Sequence, residues 1–182
     1  NIKNNYLNLE VNEENMSFVY ALSKILKIKE TSFIKSLNSF KGLNHRHEVF
    51  YKKNNKTFIN DSKATTFAAS RFALKNNKNI LWIVGGLPKT NDKFQLNTVK
   101  KNIIKAYVIG KYSEHFKKFL KGRINFQLCK TLNKAVNSIF KYINSSRERK
   151  ITVLLSPASA SYDQFRDFRD RGEKFKKIIK KY

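Results

Sequence analysis

The chain has 182 residues, 41% hydrophobic and 13% aromatic, enough for one domain of ordinary size and part of another. Its formal charge of +25 would suit a nucleic acid, an anionic membrane or an acidic substrate, but the lysines are spread along the chain among many asparagines and isoleucines, the mixture that A/T-rich coding produces. A single cysteine, Cys129, excludes an internal disulfide and a cysteine-built metal cluster, and no run nears the roughly 18 uninterrupted apolar residues of a membrane span.

In chain order, residues 13–28 read as a helix, with Met16, Val19, Tyr20, Ser23 and Leu26 on one face and Glu13 and Glu14 in the first turn. A second, short helix runs from Ser32 to Phe40 and stops at Gly42. Two such helices cannot bury both their faces alone, so they read as the end of a preceding domain. With Asn1 rather than Met in first place, the chain reads as a piece of a longer protein. Strands Glu48–Tyr51 and Thr57–Asn60 follow, joined by the polar turn 53–56 of a hairpin.

From there helices and strands alternate. Helix Thr66–Lys75 leads to strand Ile80–Val84, a weak helix at Leu96–Asn102 to strand Ala106–Ile109, and helix Ser113–Leu120 to strand Asn125–Leu128. Helix Leu132–Ile143 leads to strand Ile151–Leu155, and a long helix covers Tyr162 to Lys180. The alternation predicts an α/β fold with a mainly parallel sheet covered by helices on both faces. Strands Ile80–Val84 and Ile151–Leu155 are nearly all apolar, as strands buried on both faces are.

Ligands gather at the carboxyl ends of the strands in such sheets. Three strand ends carry chemistry: Asn60-Asp61-Ser62-Lys63-Ala64-Thr65, Gly85-Gly86-Leu87-Pro88-Lys89 and Ser156-Pro157-Ala158-Ser159-Ala160-Ser161. Together they predict an anion site on one sheet edge. The first precedes a helix whose free N–H groups would attract a carboxylate or phosphate, with Lys63 and Thr65 adding a charge and a hydroxyl. Asp61 suits sugar hydroxyls better than an anion. Each loop also has a plain structural reading: a helix cap for Asp61 and Ser62, a strand-ending turn for the glycines, a tight turn for the serines. Arg46, beside His45 near the boundary at 41–46, is either a phosphate ligand or one end of a linker ion pair. His47 and His115 lack metal-ligand spacing and read as packing or surface residues. The chain has no phosphate-loop sequence, no nucleophile elbow and no paired zinc histidines.

Taken in order, Gly42-Leu43-Asn44-His45-Arg46, the Asn60–Thr65 string, Gly85-Gly86 with Lys89, and Ser156 to Phe165 continuing to Phe168, Arg171 and Gly172 resemble the C-terminal domain of the D-glutamate-adding Mur ligases. Asn44, Thr66 and Ser159 stand where that family commonly has Pro, Asn and Cys. The resemblance implies a Rossmann-like domain over residues 42–182, preceded by a helical remnant of a central ATPase domain over 1–41. It implies a D-glutamate pocket of Lys63, Thr65, Lys89, Ser161 and Phe168, and nucleotide contacts from Asn15 on the adenine, Arg46 on the phosphates and Asp61 on the ribose. No catalytic or metal-binding side chain is implied here. ATP and Mg2+ would be held mainly by upstream parts, so the chain alone would be inactive. The implied partners are D-glutamate, UDP-N-acetylmuramoyl-L-alanine and ATP, with neither nucleic acid nor membrane, for a cytoplasmic monomer in peptidoglycan synthesis. A basic nucleic-acid-binding domain and a folate-acting ligase of the same superfamily are the alternatives.

Overall fold

A computed structural model describes residues 3–4, 7, 12–147 and 150–182. The chain forms two compact units, Asn1–Leu43 and Asn44–Tyr182. Residues 1, 2, 5, 6 and 8–11, within the stretch read as a domain remnant, lie outside the described residues.

In the first unit, α1 (Glu13–Ile25) carries Glu13 and Glu14 in its first turn and Lys24 in its last, both favourable to the helix dipole. The left-handed Lys27 (φ 52) turns the chain into α2 (Glu30–Ser39). Phe18, Ile25 and Leu26 stand 61–75% exposed on this unit, whereas Leu37 is buried in it.

The second unit is a six-stranded sheet made of β1 (Glu48–Lys53), β2 (Lys56–Asn60), β3 (Ile80–Val84), β4 (Ile103–Ile109), β5 (Phe126–Lys130) and β6 (Ile151–Leu155). Their spatial order is β1-β2-β6-β3-β4-β5, and only the β1–β2 hairpin is antiparallel. Asn54 (φ 47) and Asn55 (φ 61) form the hairpin turn, both in the left-handed region that a two-residue primed turn demands and asparagine tolerates.

Side-chain alternation along the buried strands splits the core in two. Ile80, Trp82 and Val84 face α3 (Phe67–Asn76) and α4 (Ser113–Leu120) through Phe67, Leu74, Phe116 and Leu120. Leu81 and Ile83 face α5 (Leu132–Ser145) and α6 (Phe168–Ile179) through Val136, Ile139, Phe175 and Ile179. Each fully buried side chain of this size contributes about 1.5–3 kcal/mol, which makes the sheet a stiff base for its loops. The chain leaves β3 towards the first face, where Phe94, Leu96 and Val99 pack, and leaves β6 towards the second, where α6 lies. The carboxyl ends of these adjacent parallel strands lie side by side, the edge at which doubly wound sheets bind ligands.

The first helix ends at Ile25 and the strand expected from Ala106 begins at Ile103, while two elements differ in kind or by more than a turn. The weak helix at 96–102 is a pair of 3-10 turns, Leu96–Thr98 and Lys100–Asn102, and Asn102 donates its amide to the carbonyls of Leu74 and Lys75 at the end of α3. The last helix starts at Phe168 rather than Tyr162, capped by Asp167, whose carboxylate accepts from the Asp170 N–H at 2.8 Å. Residues 161–167 instead cross the sheet edge. Asp163 accepts from the Lys111 N–H at the end of β4, and Gln164 donates to the Lys130 carbonyl at the end of β5.

Candidate functional site at the carboxyl edge

The neighbouring strands β2, β6 and β3 run parallel and end at Asn60, Leu155 and Val84, so their loops leave from one edge. Backbone pairing continues past the strands and stitches the loops together. Asp61 N–H donates to Leu155 (2.8 Å), Gly85 N–H to Pro157 (2.9 Å), and Leu87 and Ala160 exchange two bonds of 2.9 Å. Gly86 makes this approach possible: its φ is +139°, and a Cβ there would sit 2.4 Å from the Ala160 carbonyl oxygen.

Asp61 is buried under its loop. One carboxylate oxygen accepts from the His47 N–H at 3.0 Å and the other from the Ser156 hydroxyl at 2.7 Å. Burial pushes its pKa up to about 6, with those two bonds and Arg46 opposing the rise. Arg46 is exposed in the segment 45–47, where His45 and His47 both take positive φ. The Lys63 N–H donates to the His45 carbonyl at 3.0 Å, so this segment and the Lys63 turn are tied directly.

Lys63 reaches outward, its ammonium 4.8 Å from the centre of the half-buried Phe168 ring. The Ser62 hydroxyl donates to the Phe168 carbonyl at 2.8 Å, fixing the start of α6 on the same turn. Thr65 is half-buried at the end of the loop, Ser161 is buried at the end of the serine-rich turn, and Lys89 is exposed on the turn after Gly86. Asn15 lies exposed on α1, in the other unit.

The cap of α3 is Thr66, whose hydroxyl accepts from the Ala69 N–H, so neither Asp61 nor Ser62 fills that role. The anion at this helix N-terminus is internal: Asp92 accepts the Phe67 N–H at 2.7 Å. The free N–H groups expected there are thus partly consumed.

Sequence reasoning quoted Arg171 and Gly172 without giving them work. The guanidinium of the fully buried Arg171 bridges two loops, through the Ser62 hydroxyl (3.0 Å), the Ser62 carbonyl (2.8 Å) and the Ser159 carbonyl (3.0 Å). An arginine among so many lysines was the available signal, because only a planar fork reaches several acceptors at once. Gly172 lets α6 close on the site: a Cβ there would lie 2.3 Å from His45 Nδ1. Behind it, the Asn60 amide donates to Glu48 (3.0 Å), and Lys176 pairs with Glu48 (3.1 Å) and Glu173 (2.8 Å). Burial holds the His45 imidazole below its ordinary pKa, despite both glutamates. Among the described residues no group of three or more His, Cys, Asp or Glu could hold a metal ion, and no helix is long and apolar enough to cross a membrane. At the opposite edge of the sheet a shallow groove of about 570 Å³ is lined by Lys52, Lys53, Lys56, Lys78 and Lys150.

This mostly parallel sheet, with its edge of loops, is the fold of the C-terminal domain of Mur-type ligases. It superposes on MurF from Acinetobacter baumannii with a TM-score of 0.58 at 14% identity, over 88% of this chain and 35% of that one. It also superposes on the bifunctional folylpolyglutamate synthase/dihydrofolate synthase of Yersinia pestis, with a TM-score of 0.52 at 10% identity, over 83% of this chain and 34% of that one.

In sequence the chain is a homologue of UDP-N-acetylmuramoylalanine--D-glutamate ligases. It is 39% identical over 175 residues to the one from Wolbachia sp. subsp. Brugia malayi (96% of this chain, 35% of that protein). Against the Rickettsia felis ligase it is 34% identical over 171 residues (94% and 38%), and against that of Nitrobacter hamburgensis 37% over 169 (93% and 36%). The chain thus spans about a third of the length of the curated relatives it matches. No family model matches it.

Proposed function

We propose that residues 42–182 are the amino-acid-binding domain of an ATP-dependent ligase that joins D-glutamate to UDP-N-acetylmuramoyl-L-alanine, and that residues 1–41 close its ATP-binding domain. The carrying observation is the meeting of the Lys63 turn, the Gly86 turn and the serine-rich turn at the ends of three adjacent parallel strands. The names of the relatives at 34–39% identity point to the same substrate.

In this reading Lys63 and Lys89 hold the two carboxylates of D-glutamate, and Thr65 and Ser161 orient them through their hydroxyls. Phe168 walls the pocket and keeps Lys63 in place. Held so, the amine lies along one line of attack on the activated carboxyl of the precursor, and the saving in orientation is the domain's contribution to rate. ATP supplies the phosphoryl group that activates that carboxyl. The amine nitrogen then bonds to the acyl carbon, the bond from carbon to the phosphate oxygen breaks, and the amine gives up a proton. Arg46 and Asp61 meet the nucleotide's phosphates and ribose, and Asn15 its adenine. The crystal structure of the MurF ligase from Thermotoga maritima is a complex of that protein with ADP. Mg2+ would find its ligands on the remainder of the enzyme. The chain alone turns over nothing, and the whole enzyme acts as a cytoplasmic monomer.

Titration of 15N-labelled chain with D-glutamate tests the reading. Saturable shifts at Lys63, Thr65, Lys89, Ser161 and Phe168, larger than those from L-glutamate, support it. Shifts confined to the lysine groove at the far edge, or none at tens of millimolar, overturn it.

A further inference from the structure

Arg171 is fully buried, yet among the described residues its hydrogen-bond partners are all neutral: one hydroxyl and two carbonyls. Its Nη1, also buried, has no partner and lies 3.3 Å from where a Gly86 Cβ would be. Asp163 acts on it only at longer range, and burial lowers its pKa to about 9. An unpaired buried cation is costly and is easily replaced by an apolar side chain when packing is all that matters. Its position therefore calls for a reason. Ser62 precedes Lys63, Ser159 stands two residues before Ser161, and Gly86 three before Lys89, so one guanidinium sits behind all three turns.

We propose that Arg171 is the positioning residue of the amino-acid pocket, locking the Lys63 turn to the Ser161 turn and leaving its positive charge uncompensated for a bound dicarboxylate. The proposal rests on the D-glutamate reading for its ligand, whereas the lock itself is independent of it. A lysine would keep the charge but, with one ammonium on a flexible stem, cannot hold Ser62 and Ser159 together. A glutamine would keep some hydrogen bonding and remove the charge.

The test compares Arg171→Lys, Arg171→Gln and the parent chain by amide hydrogen exchange and by titration with D-glutamate and with the monocarboxylate D-alanine. In Arg171→Lys, exchange at Ser62–Thr65 and Ser159–Ser161 should quicken about tenfold or more while Ile80–Val84 keeps its protection, and D-glutamate affinity should fall about tenfold. In Arg171→Gln, D-glutamate should lose more affinity than D-alanine. Exchange and affinity within about twofold of the parent in Arg171→Lys would overturn the proposal, because the cost of a lost charge-assisted bond is larger. Equal quickening throughout the sheet, or failure of both variants to fold, would also overturn it by making Arg171 a residue of general stability. If the parent chain itself ignores D-glutamate, the function proposed above fails, and the loop-specific exchange still decides the lock.

Discussion

Replacing Gly86 by alanine tests how tightly the loops are stitched. At φ +139° an L-residue is strained by about 1–3 kcal/mol. The new Cβ would also stand 2.4 Å from the Ala160 carbonyl oxygen and 2.6 Å from Ser159 Oγ, so the turns must part. Parting breaks the paired bonds between Leu87 and Ala160, each contributing about 0.5–1.5 kcal/mol net. The expected loss is about 2–6 kcal/mol, and at roughly 3–4 °C per kcal/mol for a unit of this size Tm should fall by on the order of 10 °C or more. Trp82 is the only tryptophan, is fully buried and donates its indole N–H to the Ser156 carbonyl at 2.7 Å, so its fluorescence reports on this edge during urea unfolding. A variant within about 0.5 kcal/mol of the parent, the ordinary scatter of a harmless substitution, would refute the close approach of the two turns.

Asp61 carries a pH signature. Its carboxyl holds a proton up to about pH 6 when folded but only to about its usual 3.8 when unfolded, so the folded state binds more protons between those values. Stability from this group therefore falls as pH rises through that window and stays lower above it, by up to about 3 kcal/mol. In Asp61→Asn, which cannot titrate, the fall in stability between about pH 4 and pH 6 should disappear relative to the parent by denaturant titration, whatever its absolute stability; the same fall in both proteins would contradict the burial argument. At the hairpin, Asn55→Gly should raise stability by a few tenths to about 1 kcal/mol, since Asn55 already sits at φ 61; a loss in thermal unfolding would mean a different turn. Filter binding at physiological salt should find no duplex or single strand held more tightly than the roughly 10⁻⁴–10⁻⁶ M of non-specific contact. Tighter, sequence-dependent retention would favour a nucleic-acid role for the lysine groove at the far edge.

Where local signals act alone, the sequence was read correctly. Ile80–Val84 and Ile151–Leu155 are apolar runs bracketed by polar residues and glycine or serine, and helix Ser113–Leu120 has Phe116 and Leu120 one turn apart; all three have the bounds expected. The segment 162–167 reads as helix because Phe165 stands three residues before Phe168, the spacing of one helix face. Its side chains are instead engaged with Lys111 and Lys130, which are distant in sequence and brought near only by the closed sheet. The same holds for Asp92, which takes the first N–H of α3 from 25 residues away. That the three loops share an edge follows from parallel alternation, whereas the insertion of β6 between β2 and β3 is a matter of topology that no local pattern carries. Arg171 was quoted only as part of a motif, since burial of a charged side chain is a property of the packed structure.

The central claim is that a small dicarboxylate sits where these three turns meet. A crystal structure of the chain grown with D-glutamate addresses it directly. Both carboxylates should lie within hydrogen-bonding reach of the Lys63 and Lys89 ammonium groups and the Thr65 and Ser161 hydroxyls, with Phe168 alongside. Well-ordered ligand bound anywhere else, with Lys63 and Lys89 pointing away from it, would contradict it.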